Sequence, residues 1–254
     1  MSSAQVISTS KTAQLAPAVA LTLVAAGIPV ILHGGENVPT KSGITPGQVL
    51  RELGIKVDLD PQSVEKMIEG VGFGFLDIAQ YFPKWGDFLE IRHQFGLRTV
   101  ANTIEKLFNP ADAPFQISGF FHANYMERIR STQTGTQASW MIQGEEGSIE
   151  MASGRRTKIV GTTPESDLTL SPQTVGLAER ARIEIPANLI RHSKMNHSVI
   201  AGKSGPAHDQ VALTAGTILH LVGCEASVSA GFITAQKLLL NKTVESYFEK
   251  IRSF

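Results

Sequence analysis

Apolar residues along this chain recur at two alternating spacings, one helical and one extended, and the alternation predicts most of its elements. Residues 18–26 suit a helix, Gly27 its stop, and residues 28–32 a short buried strand that ends on His33-Gly34-Gly35. Thr45-Pro46-Gly47-Gln48 has the form of a helix start: a capping hydroxyl, a proline for the first turn and a glutamine at the capping-box position. Gly54 closes that helix. Asp60-Pro61 opens the next, with Val64, Met67 and Ile68 as its apolar stripe and Gly70 as its stop. Residues 71–76 read as a glycine-interrupted buried strand, and Phe88, Ile91 and Phe95 as the face of a helix closed by Gly96. Further strands are predicted at 116–121, 138–142 and 157–160, with a helix near 125–132. The last stretch is helical, at 209–222, 228–240 and 244–251. Strands alternating with helices predict an α/β layer fold, one domain over 1–254 with a largely parallel central sheet flanked by helices. Ligands of such sheets gather at the carboxyl ends of the strands, so the loops that follow strands are where chemistry is sought.

The run from Leu15 to Leu32 carries no charge, and Lys11 stands just before it, so a signal peptide or membrane span competes with a soluble reading. Pro17, Gly27 and Pro29 interrupt the run as the boundaries of soluble helices and strands do, which favours the soluble reading. Composition narrows the classes further. The chain has 254 residues, 23 Lys+Arg against 23 Asp+Glu, and one Cys. A lone cysteine excludes a disulfide framework and a Cys-based zinc site. Zero formal charge argues against a bulk electrostatic grip on nucleic acid. What remains is a cytoplasmic globular domain, with no membrane association and enough length for a substantial core.

The most informative loop follows the first predicted strand: His33-Gly34-Gly35, then Lys41-Ser42-Gly43, with a helix start at Thr45. Two glycines let the backbone approach an anion, and Lys41 and Ser42 add a charge and a hydroxyl, so the parts of a phosphate cradle are present. A turn-rich connection with a solvated lysine has the same composition. Elsewhere, Arg155, Arg156 and Lys158, and the stretch 191–203 with Arg191, His192, Lys194, His197 and Lys203, form basic clusters that could meet phosphates or simply face solvent. His192 and His197 are five apart, a spacing unsuited to paired ligands on one helix face. Cys224 closes an apolar helical stretch and reads as a buried, inert thiol.

His33-Gly34, Val38 and Lys41-Ser42-Gly43 resemble the loop with which the anthranilate phosphoribosyltransferases and related pyrimidine nucleoside phosphorylases hold a phosphorylated sugar. The resemblance continues in order through Gly72-Phe73-Gly74-Phe75, Tyr81 with Pro83, Arg92, Arg98-Thr99, Asn102 and Asn109-Pro110-Ala111. It extends further through Gln116, Gly119, Gly144-Glu145-Glu146-Gly147, Glu150 and residues 202–209. It implies the fold of that family's catalytic domain without the helical N-terminal subdomain through which the family usually dimerises, so a homodimer stays open. It implies a pentosyl transfer from phosphoribosyl pyrophosphate to an aromatic carboxylate acceptor. It also implies a substrate-binding set of His33, Gly34, Gly35, Lys41, Ser42, Gly43, Arg92 and Asn102. In that set Arg92 pairs with the acceptor carboxylate, and Glu150 stands as a magnesium ligand.

The departures from the family pattern concern charge. Its Asn-x-Ser-Thr turn is here Gln14-Leu15-Ala16-Pro17, and the glycines ahead of that turn fall before the start of this chain. The Lys before His-Gly is Leu32, the Asn after it Gly35, and the Asp-Glu pair for magnesium is Ile149-Glu150. A His of the acceptor pocket is Gln80, and a nearby Gly-Pro is Glu105-Lys106. A donor site altered in this way leaves two readings: a pentosyltransferase with weakened pyrophosphate and Mg²⁺ binding, or a non-catalytic phosphate- or nucleic-acid-binding relative.

Overall fold

The computed structural model describes residues 4–7, 12–35, 43–95, 100–133, 135–151, 154–177 and 183–254, with the backbone alone at 4–7, 89–90 and 92–95. The amino-terminal half runs β1 (Ala4–Ile7), α1 (Ala16–Ala25), β2 (Val30–Gly34), α2 (Pro46–Glu52), α3 (Pro61–Val71) and β3 (Phe73–Asp77). Three helices follow, α4 (Ile78–Tyr81), α5 (Pro83–Phe95) and α6 (Ala101–Leu107), then β4 (Phe115–Gly119), α7 (Ala123–Ile129) and β5 (Ala138–Ile142). The chain ends with β6 (Thr157–Gly161), β7 (Leu168–Leu170), α8 (Leu189–Ile200), α9 (Pro206–Leu221), α10 (Val228–Leu240) and α11 (Thr243–Arg252).

All seven strands share one sheet in the order β3-β2-β1-β4-β5-β6-β7. β1 to β5 pair in parallel, and β6 and β7 continue the sheet antiparallel. The expected largely parallel sheet is therefore present, and one of its interior strands, β1, is one that the apolar pattern did not mark. β1 places Ala4 beside Val30 on one flank and beside Phe115 on the other.

The uncharged run is explained by where α1 lies. Every residue from Ala16 to Val24 is buried, because α2, α8, α9, α10 and α11 all pack against this helix. A helix that is apolar on all sides is stable only when enclosed, by a membrane or by other helices. Here other helices do it, and no helix among the described residues is long and apolar enough to cross a membrane. α9 and α10 approach at backbone distance: a Cβ built on Gly231 would sit 2.1 Å from the Gly216 carbonyl oxygen, and one on Gly216 would sit 2.4 Å from Phe232 N.

Local signals hold where the chemistry is local. Thr45 Oγ1 accepts from Gln48 N at 3.3 Å while Gln48 Oε1 accepts from Thr45 N at 3.1 Å, the reciprocal capping box predicted at α2. Asp60 Oδ1 accepts from Ser63 N at 3.0 Å and starts α3. That helix runs two residues past the expected stop at Gly70, ending on Gly72 in the left-handed region with φ 73°. Cys224 is exposed, contrary to the expected buried thiol, because α9 ends at Leu221 and the chain turns at Gly223.

Candidate active site at the carboxyl ends of the strands

The segment that follows β1 enters α1 without a side-chain cap of its own, and Pro17 brings no N–H to the first turn. The exposed amides of that turn are met from distant parts of the chain. Glu150 Oε1 accepts from Leu15 N at 2.9 Å and from Ala16 N at 2.8 Å, and Glu150 is 1% exposed. Asn196 of α8 takes the next amide, its Oδ1 accepting from Ala18 N at 3.2 Å. The same side chain donates through Nδ2 to Gln14 O at 2.6 Å and His192 O at 2.9 Å. His192 Nδ1 accepts from Gln14 N at 3.1 Å, and burial lowers the pKa of this ring, in keeping with a neutral acceptor. Met151 is fixed on α9, its N–H donating to Thr214 Oγ1 at 3.1 Å and its carbonyl accepting from Gln210 Nε2 at 2.9 Å. Glu150, the preceding residue, is thereby held in place.

On the adjacent strand, β2 ends at His33 and Gly34, and Gly35 follows. His33 is 4% exposed, and neither ring nitrogen has a hydrogen-bond partner among the described residues. Burial without a partner disfavours the imidazolium and pushes its pKa down to about 4. A ring with two unused polar atoms at the carboxyl end of a parallel strand is chemistry available to a ligand. Asp77, opposite Gly34 in the β2–β3 ladder, caps α4 through Ala79 N at 2.9 Å, and partial burial holds its carboxyl above the usual range.

The low pKa of His33 has a pH signature. The unfolded chain protonates this ring near pH 6.5 and the folded chain only near 4, so its contribution to stability is complete above 6.5 and is lost as pH falls toward 4. At about 1.4 kcal/mol per unit the loss is roughly 3 kcal/mol. His33→Asn should flatten the acid limb between those values in urea melts, and an unchanged limb would show that the ring does not titrate in this way.

Of the other expected site residues, Lys41 and Ser42 lie outside the described residues, and so does the Arg92 side chain, whose backbone is in α5. Gly43 resumes the described chain just before α2, and Asn102 lies half-buried in the first turn of α6. Glu150 is brought to the α1 start, and His33 to Gly35 to the neighbouring strand end. Sequence reasoning missed Asn196 and Lys106. Lys106 Nζ donates to Gly119 O at 2.5 Å and Gly147 O at 3.0 Å, joining α6 to the ends of β4 and of the turn after β5. Glu105 beside it accepts from Trp85 Nε1 at 2.8 Å. The signal for Asn196 was its place four residues after His192, the spacing that puts two polar groups on one helix face.

An open, mainly parallel sheet whose strand ends gather buried polar groups, with Gly34 and Gly35 at the end of β2, defines an α/β ligand-binding domain of the open-sheet type. Residues 8–242 match the family model "Glycosyl transferase family, a/b domain", and the chain belongs to that family. The anthranilate phosphoribosyltransferase of Verminephrobacter eiseniae is 30% identical over 233 residues, covering 89% of this chain and 67% of that protein. That of a Polaromonas species is 32% identical over 224 residues, covering 85% of this chain and 63% of the relative. The chain thus spans about two thirds of the length of these relatives. Among solved structures, the enzyme of Thermus thermophilus superposes with a TM-score of 0.86 at 25% identity, over 98% of this chain and 76% of that one. The Saccharomyces cerevisiae enzyme in complex with phosphoribosyl pyrophosphate and Mg gives 0.83 at 17% identity, over 98% and 72%, which is a likeness of fold.

Proposed function

We propose that this chain is a pentosyltransferase of the anthranilate phosphoribosyltransferase type, moving a phosphoribosyl group from phosphoribosyl pyrophosphate to an aromatic amine that carries a carboxylate. The observation that carries the reading is the family match over residues 8–242, with relatives named for that activity, joined to a buried imidazole at a strand end that has no ring partner among the described residues. A cytoplasmic location belongs to the same reading.

The reaction asks little covalent work of a protein, since positive charge builds on the sugar carbon as pyrophosphate departs, and positioning and charge compensation supply most of the rate. The roles divide along the chain. Gly34, Gly35 and Gly43 allow the backbone to approach the sugar phosphate, and Lys41 and Ser42 offer it a cation and a hydroxyl. His33 stays neutral at pH 7 and offers one donor and one acceptor from a dry position. Asn102 belongs to the substrate-binding set, and Arg92, whose planar fork suits a carboxylate, pairs with the acceptor.

Magnesium is assigned to the donor. A hard dication needs several oxygens in near-octahedral array. Here Ile149 is apolar and fully buried, and an oxygen of Glu150 is taken by two amides. The described residues hold no cluster of three or more His, Cys, Asp or Glu able to bind a metal. That donor set does not suit a resident ion, and magnesium would enter on the phosphate oxygens of the donor.

Titration calorimetry tests the reading. Phosphoribosyl pyrophosphate should bind with micromolar affinity in the presence of Mg²⁺, and anthranilate should be consumed when both are supplied. Arg92→Ala should weaken anthranilate binding by about 10- to 100-fold, the worth of a charge-assisted pair. Silence toward the donor, with and without Mg²⁺, would remove the transferase reading, and equal anthranilate affinity in mutant and parent would remove the role of Arg92.

A further inference from the structure

The N-terminus of a buried helix is a seat for negative charge, since its first amides lack partners and the backbone dipoles add to a positive end. α1 is such a helix, and its seat is filled from within. We infer that Glu150 is a positioning residue that holds the α1 N-terminus in place of an external anion or metal ion, and is not a magnesium ligand.

Four observations converge. The Leu15 and Ala16 amides end on a single oxygen of Glu150, at 2.9 and 2.8 Å, the short distances of charge-assisted bonds. The carboxylate is 1% exposed, and these bonds help to compensate its burial. The residues on either side fix it: Ile149 is fully buried, and Met151 is bonded at both its N–H and its carbonyl to α9. Finally, Ala16 and Pro17 bring neither a side-chain oxygen nor, at Pro17, an N–H to the turn, so the turn contributes nothing that would draw a metal to it.

The consequence for the proposed reaction, on which this clause alone rests, is that donor phosphates meet the 33–43 loop and not the start of α1. The role of Glu150 itself can be tested without turnover, by thermal melting of the full chain with Mg²⁺ alone. The parent should show no rise in melting temperature with Mg²⁺. Glu150→Gln, which keeps an acceptor oxygen for both amides, should melt several degrees below the parent, and Glu150→Ala lower still, with Mg²⁺ again without effect. A rise in the parent with Mg²⁺ that disappears in Glu150→Gln would overturn the inference and return Glu150 to metal binding. Parent-like melting of Glu150→Ala would overturn it too. Should the alanine variant fail to fold, the parent and the glutamine variant still decide between the two roles. Failure of donor binding in calorimetry would leave this result untouched, so the two readings fall separately.

Discussion

Gly231→Val should lower the melting temperature by roughly 10 °C, the shift expected for about 4 kcal/mol in a domain of this size. The reason is the crossing of α9 and α10, where a Cβ on Gly231 would lie 2.1 Å from Gly216 O. The obstacle is backbone on both sides, and no rotamer change can relieve it. The helices must move apart, and Ala212, Ala215 and Phe232, all buried around the crossing, lose their contacts when they do. Overpacking usually costs about 1–3 kcal/mol, and the upper tail is reached where a backbone has to shift. Ile233→Ala is the control, since Ile233 lies on the same helix but is 50% exposed, and should change stability by no more than about 0.5 kcal/mol. Equal melting of Gly231→Val and parent would mean that the two helices do not cross at this distance.

Asn196→Leu should cost about 3 kcal/mol or more. Leucine matches the volume, so packing is largely kept and the loss is polar. The Ala18 amide would lose its Oδ1 acceptor, and Gln14 O and His192 O would lose a donor, all in a region closed to water. A buried group left without its partner costs about 1–3 kcal/mol. Guanidinium chloride unfolding measures this: the midpoint should fall with the slope unchanged, because the surface exposed on unfolding is the same. A midpoint within error of the parent would show that water or another residue serves these groups.

The elements of the fold differ in how much of them was legible in the sequence. Caps and turns were legible because their partners are three residues apart, as at Thr45 and Gln48, or Asp60 and Ser63. β5 and α10 fall on the residues where their apolar runs placed them. β1 was not legible because four residues, Ala4–Ile7, are too few for a period to show. α8 was not, for the opposite reason. Its buried face carries His192, Ser193 and Asn196 beside Val199 and Ile200, so the apolar stripe that marks a helix is missing and the stretch read as a basic segment. His192 and Asn196 have a job that only the folded chain reveals, since they bond Gln14 and Ala18 at the start of α1. The candidate site follows the same rule. The end of β2 at His33 could be read locally, whereas the bond between Glu150 and Leu15 joins residues 135 apart and has no local signature.

The position of β1 also bears on how the molecule is made. The strand lies between β2 and β4 and precedes both in the chain, so it has to wait for two neighbours. One arrives early, as Ala4 meets Val30, but the other, Phe115, is synthesised only much later. Until then a nascent chain holds an unpaired parallel edge in what will be the interior of the sheet, the kind of surface that recruits chaperones or joins a second growing chain. Pairings so far apart in sequence also make for slow folding.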